Sequence, residues 1–148
     1  MLSGLTLAVV FSVYDSSVSA FITDSGKDAE QYLVKCFNPA QGKIQLRKWD
    51  LKIENGFFRL KKYFPNGKQE YFSFRFDKFE DLNYSGTEES GELAIRTTGD
   101  DIIIQTYNDP QGNVDSMSSC IKVALKNIQV EQLNLLQKDF LEIRTQLK

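Results

Sequence analysis

The sequence predicts a mainly β protein of the α+β class, in which a seven-stranded, bent antiparallel sheet or barrel lies between a short N-terminal helix and a C-terminal amphipathic helix. Apolar and polar residues alternate through most of residues 43–125, as in half-buried strands. Two tight-turn motifs, Asn55-Gly56 and Pro65-Asn66-Gly67, interrupt that alternation. Over residues 129–147 the apolar spacing changes to that of a helix.

The first helix is predicted over residues 25–37. Ser25 can act as its N-cap, and Asp28 places a negative charge in the first turn, where it complements the helix dipole. Its apolar stripe consists of Ala29, Tyr32, Leu33, Cys36 and Phe37. The second helix is predicted over residues 129–147. Its apolar face consists of Leu133, Leu136, Phe140, Ile143 and Leu147.

The sheet is predicted within residues 43–125 of a single globular domain, residues 21–148. Its seven strands are expected at 44–54, 57–64, 69–77, 81–86, 92–97, 101–107 and 117–125. The last strand is expected to place Met117, Ser119, Ile121, Val123 and Leu125 on one face.

The two turns predict the register of the first three long strands. The expected cross-strand pairs are Leu51 with Leu60, Ile53 with Phe58, Leu60 with Phe72, and Phe58 with Phe74. Both turns assign the same apolar face to the core, and a slip of one residue in either would end that agreement. Lys62 shares this face, and we expect it at the barrel rim with its ammonium group in solvent.

The opposite face of these strands carries a patch of basic and aromatic residues, which we call the basic patch. Its members are Lys48, Lys52, Arg59, Lys61, Tyr63, Tyr71 and Arg75. Lys52 lies directly opposite Arg59, and a like-charge pair of this kind costs up to about 1 kcal/mol. An anion or an acidic partner surface would relieve that cost. The alternative is an ordinary solvated strand face, in which Asp50 and Glu54 balance the charge.

Charge is divided along the chain, although the net charge is only −2. Residues 43–75 contain nine basic and three acidic residues, and residues 76–115 contain two basic and ten acidic residues. The electrostatic field of such an uneven charge distribution can steer charged partners. Phe72, Phe74 and Phe76 have the spacing of a base-stacking platform, but they share the predicted core face beside the acidic stretch. The sequence therefore argues against nucleic-acid binding.

The chain contains no histidine, which removes the usual general base and the commonest metal ligand. We expect no enzyme activity and no cofactor; a hydrolase that uses two carboxylates is the remaining catalytic alternative. Asp109, Gln111, Asn113 and Asp115 alternate around Gly112, but they lack the order of a calcium loop, so a polar hairpin loop is predicted and no metal site.

The N-terminal residues 1–20 have two interpretations. The apolar run at residues 5–13 and the small residues Val18-Ser19-Ala20 are typical of a signal peptide, but the same run alternates like a strand. The first interpretation predicts a secreted or periplasmic protein, and the second a cytoplasmic one. After export, Cys36 and Cys120 would be expected to form a disulfide. No segment is apolar and long enough to predict a membrane span.

Seven strands followed by an amphipathic helix resemble the pleckstrin-homology-like superfold over roughly residues 43–148. The resemblance implies a scaffold that binds phosphoinositides, peptides or partner proteins. Lys52, Arg59 and Lys61 are similar in position to the basic residues of phosphoinositide-binding members, but the loop at Asn55-Gly56 is much shorter than their headgroup loop. A lipocalin-like or other small β-barrel is the alternative fold.

The function expected from the sequence is that of a non-catalytic binding or scaffold domain that contacts a protein partner, as a subunit of an envelope or extracytoplasmic assembly. The basic patch is the expected contact region for that partner or for an anionic ligand. The alternative is a carrier that holds a small apolar ligand or lipid inside the barrel.

Overall fold

The computed structural model describes residues 24–148. The interpretations of residues 1–20 therefore lie outside the described residues and stay predictions. The chain is helical over residues 24–36, which form α1. The elements that follow are β1 (Ala40–Gln41), β2 (Ile44–Gln45), β3 (Lys48–Glu54), β4 (Phe57–Tyr63), β5 (Gln69–Arg75), a 3-10 turn (Phe76–Lys78), β6 (Phe79–Gly86), β7 (Ser90–Thr97), β8 (Ile102–Tyr107), β9 (Asp115–Ser118), β10 (Cys120–Lys126) and α2 (Val130–Leu147).

The predicted class, a mainly β protein with an N-terminal and a C-terminal helix, is confirmed. The strands form a five-stranded sheet in the order β3-β4-β5-β8-β9, a three-stranded sheet in the order β10-β7-β6, and the β1-β2 hairpin. All of the strand pairs in these sheets are antiparallel. The sheets do not close into the single barrel that we expected.

The strands of residues 40–126 number ten rather than the predicted seven. Residues 44–54 form two strands, β2 and β3, because the N–H of Leu46 donates a hydrogen bond to the carbonyl of Pro39. Residues 117–125 separate at Ser119, whose carbonyl accepts the N–H of Thr97. On either side of Ser119, β9 belongs to the five-stranded sheet and β10 to the three-stranded sheet, so the predicted common face does not exist.

The registers predicted for β3, β4 and β5 are confirmed at every predicted pair. Ile53 pairs with Phe58 across the first turn, where Asn55 and Gly56 have φ of 56° and 78°. Across the second turn Phe58 pairs with Phe74, and Gly67 has φ of 92°. The buried members of this face are Leu51, Ile53, Phe58, Leu60 and Phe74, and Phe72 is partly buried against them.

An aromatic cluster joins α2 to the rest of the core. The ring of Phe140 meets Phe76 and Phe79 edge to face, with centroid distances of 4.8 and 5.2 Å. Arg144, one turn further along α2, donates to the carbonyl of Phe79 at 3.1 Å. Because α2 packs on the 3-10 turn and on β6, the outer side of the five-stranded sheet is left uncovered by this helix.

Lys62 is not at a rim, as we expected, but is buried with 6% of its surface exposed. Its ammonium group donates to Oε1 of Gln41 in β1 at 2.9 Å and lies 5.3 Å from the centroid of the Phe72 ring. The prediction failed because residues 40–45 fold back as the β1-β2 hairpin. Burial lowers the pKa of the Lys62 ammonium group below its usual value.

We expect Phe140→Ala to lower the free energy of unfolding by about 3–5 kcal/mol, since it removes both edge-to-face contacts and leaves a cavity. Urea unfolding measures this. Leu135→Ala is the matched control, because Leu135 lies on the same helix and is 50% exposed. An equal loss in both variants would contradict the proposed packing of α2.

We expect Lys62→Met to leave the free energy of unfolding at neutral pH unchanged or raised by about 1 kcal/mol, because it removes a desolvated charge. The folded-state pKa of Lys62 lies below its unfolded value of 10.5, so the wild type gains stability as pH rises between these two values. The advantage of the variant should therefore shrink in alkaline buffer. Urea unfolding across pH checks this, with the exposed Lys61→Met as control. A loss above about 2 kcal/mol at neutral pH would show that the ammonium group is stabilising.

Candidate partner-binding site

The side of the five-stranded sheet that faces away from the core, here called the outer face, is organised in rows that cross the strands. The register defines the first row as Lys52, Arg59, Ser73, Ile103 and Met117. It defines the second row as Asp50, Lys61, Tyr71, Gln105 and Asp115. The third row consists of Lys48, Tyr63, Gln69 and Tyr107. Neighbouring rows are two residues apart along each strand.

All seven residues of the predicted basic patch lie on this face, and Lys52 lies opposite Arg59 as predicted. A cleft of about 510 Å³ brings three of them together, Arg59, Lys61 and Tyr71. The remaining residues that line it are Gln69, Glu70, Gln105 and Tyr107. The other four members of the basic patch, which are Lys48, Lys52, Tyr63 and Arg75, lie on the same face but outside the cleft.

Positive charge on this face is only partly balanced. On β3, β4 and β5 the outer face carries five basic side chains and two acidic ones, Asp50 and Glu54. Arg59 lies 4.0 Å from Glu54, and Arg75 lies 3.5 Å from Asp77. Within residues 24–148, the other three, Lys48, Lys52 and Lys61, form no ion pair with a carboxylate.

Aromatic rings flank three of the five basic groups. The ammonium group of Lys61 lies 5.7 Å from the centroid of the Tyr71 ring, and that of Lys48 lies 5.4 Å from Tyr63. The guanidinium group of Arg59 lies 4.8 Å from the ring of Phe57. Cation–π contacts orient a charge without neutralising it. The face therefore presents cations that remain available to an anion.

The sequence did not point to Ile103, Gln105, Tyr107 or Met117 as parts of this face. They come from β8 and β9, and β8 pairs with β5 across a sequence separation that includes β6 and β7. A turn motif can predict only the pairing of the two strands that it connects, and no turn connects β5 directly to β8. The two-residue period of a strand places Ile103, Gln105 and Tyr107 on a common face, but it does not say which strand lies beside them.

Cys36 and Cys120 are free thiols, so the expected disulfide is not formed. Cys36 ends α1 next to Phe37, which forms an isolated bridge with Leu125. Cys120 is at the opposite end of β10 from Leu125, about 17 Å along the strand. A disulfide needs Cα atoms within about 7 Å of one another, so this fold keeps the two residues too far apart.

The loop between β8 and β9 uses its polar groups internally. The N–H of Asp109 donates to Oδ1 of Asn113 at 3.0 Å, and the N–H of Gln111 donates to Oδ1 of Asp109 at 3.0 Å. Lys68 lies 3.6 Å from the second carboxylate oxygen of Asp109. In the described part of the chain, no group of three histidine, cysteine or acidic side chains is placed to hold a metal ion.

A second cleft, of about 430 Å³, lies between α1 and α2. Burial raises the pKa of Tyr32, which lines this cleft, to about 12. Burial, and then the negative charges of Asp28 and Glu142, raise the pKa of Asp139 to about 6. Polar side chains of both signs line the cleft without converging on one point.

None of the helices within residues 24–148 combines the length and apolar character needed to cross a membrane.

In comparisons with known proteins, no family model matches the sequence, and neither a curated protein nor a solved structure shows significant similarity to it.

We expect Asp139→Asn to raise the Tm near neutral pH and to leave it unchanged near pH 4. The folded-state pKa of about 6 exceeds the unfolded value of 3.8, so the ionised carboxyl destabilises the native state above about pH 6. This destabilisation decreases as the pH falls from about 6 to 3.8, because the carboxyl group becomes protonated in the folded state first. Thermal unfolding scans measure it, and Glu131→Gln on the exposed side of α2 is the control. An equal change of Tm at both pH values would assign the effect to something other than the charge.

Proposed function

We propose that this chain is a non-catalytic protein-binding module whose outer face binds an acidic segment of a partner protein. The observation that carries the proposal is the cleft at which Arg59, Lys61 and Tyr71 meet on a solvent-exposed sheet face. Concave surfaces with a few convergent polar groups are the usual form of binding sites.

Charge supports an acidic partner. The exposed lysines Lys48, Lys52 and Lys61 form no ion pair within the described residues, so partner carboxylates would add interactions rather than replace existing ones. A carboxylate between Lys52 and Arg59 would also offset the repulsion between them. The excess of positive charge would increase the rate at which an acidic partner associates.

The packing favours a binding surface over a carrier of apolar ligands. Phe58, Phe74, Phe76, Phe79 and Phe140 are all buried and belong to one core. The clefts on the outer face and between the helices are open to solvent rather than enclosed. The candidate site therefore lies on the surface of the protein, and these five aromatic rings occupy the core beneath it.

We keep two finer expectations as parts of this proposal. The order of the strands and α2 supports a scaffold of the pleckstrin-homology-like kind, which would use its sheet and helix to present a binding surface. The sequence pattern of residues 1–20 supports export and a place in an envelope or extracytoplasmic assembly.

The proposal predicts that Arg59→Glu combined with Lys61→Glu weakens binding of an acidic chain at least tenfold, because two attractive charges become repulsive. The probe is fluorescein-labelled poly-glutamate of about 20 residues, with affinity measured by fluorescence anisotropy at low salt. Circular dichroism and urea unfolding establish that the variant remains folded.

The matched control is Lys27→Glu combined with Lys122→Glu, which changes the net charge equally at two exposed positions outside the outer face. It should bind within about twofold of the wild type. If the outer-face variant also binds within twofold, or if both variants lose affinity equally, the outer face is not a specific site and the proposal is wrong.

A further inference from the structure

The outer face has an apolar end in addition to its basic one. Ile103 and Met117 are direct cross-strand partners, and they are 38% and 52% exposed. The N–H of Thr106 donates to the carbonyl of Val114, and the N–H of Val114 donates to Oγ1 of Thr106, so these two occupy the position of a hydrogen-bonded pair. Because such pairs alternate along an antiparallel ladder, Ile103 and Met117 form a non-hydrogen-bonded pair, whose side chains lie closest together. They therefore form one contiguous apolar patch.

This patch lies in the same row of the outer face as Lys52 and Arg59. Ser73 separates Arg59 from Ile103 in the first row, and its side chain is small and only 5% exposed. Ser73 therefore leaves a shallow depression in the outer face, with the guanidinium group on one side of it and the apolar patch on the other. Strand spacing places Ile103 about 10 Å and Met117 about 14 Å from Arg59. Single exposed apolar residues are common on protein surfaces. Two that are adjacent and in line with a charged cleft indicate a binding surface.

We propose that the partner segment is an extended acidic peptide that carries an apolar residue four positions from one of its acidic residues. A separation of about 10–14 Å corresponds to three or four residues of extended chain, and because side chains alternate along such a chain, the four-residue spacing places both side chains on the same face. Neighbouring rows are about 7 Å apart, which suits a single extended chain and is narrower than the 10–12 Å diameter of a helix. The inference rests on the proposed function, since the same basic cleft must receive the acidic residues.

The test uses three fluorescein-labelled octapeptides and fluorescence anisotropy. The first has two adjacent glutamates and a leucine three positions after the second glutamate. The second replaces the leucine with serine, and the third replaces both glutamates with glutamine. We expect the wild-type protein to bind the first peptide at least fivefold more tightly than either of the others.

The protein variant is Ile103→Thr combined with Met117→Ser. It should lose at least fivefold affinity for the leucine peptide and bind the serine peptide within about twofold of wild type. The matched control is Val130→Thr combined with Leu135→Ser, which removes two apolar side chains of α2 that are 53% and 50% exposed and should change neither affinity. Urea unfolding establishes that both variants are folded.

Each outcome has a distinct meaning. If the leucine and serine peptides bind equally, or if the Ile103 and Met117 variant keeps full affinity for the leucine peptide, this inference is wrong and the acidic-partner proposal stands on its own test. If the glutamine peptide binds as well as the first, the proposed function is wrong. No detectable binding of the leucine peptide at about 1 mM would also overturn the inference.

Discussion

The register of β3, β4 and β5 is the constraint on which the rest of the structure depends. Side chains alternate between faces along a strand, so a shift of one residue would turn Phe58 and Leu60 outward and bring Arg59 and Lys61 into the core. The turns prevent that shift because Asn55, Gly56 and Gly67 hold the positive φ values that these loop lengths require. The same register that builds the core therefore also builds the outer face.

Lys61 and Lys62 show how differently two adjacent lysines behave once the register is set. Lys61 is exposed beside Tyr71, where water solvates its charge and the surrounding dielectric is high. Lys62 is buried and reaches the side chain of Gln41. An exposed charge without an ion pair costs little in stability and can be used for binding, whereas a buried one needs a partner within the protein. The outer face can carry its excess of cations for this reason.

Local signals predicted what depends on local geometry. The two turns and the aromatic alternation predicted the pairing of three strands and the position of every residue of the basic patch.

Long-range pairing was not predictable in this way. The alternation of residues 117–125 continues through Ser119, so it could not show that β9 and β10 belong to different sheets. The β1-β2 hairpin was also not predicted, so the hydrogen bond from the ammonium group of Lys62 to the side chain of Gln41 was missed. The apolar half of the candidate site was missed because β8 reaches β5 only after two intervening strands.

This difference between local and long-range pairing has a consequence for how the outer face is assembled during folding. The strands β3, β4 and β5 are joined by short turns, so their ladders close small loops at low entropic cost. Pairing β8 with β5 must first close a loop that contains β6 and β7, and contacts of this kind form more slowly. The cationic half of the face belongs to a fast-forming meander, and the half with Ile103 and Met117 is completed later. A nascent chain would thus display its charges before it acquires the apolar surface beside them.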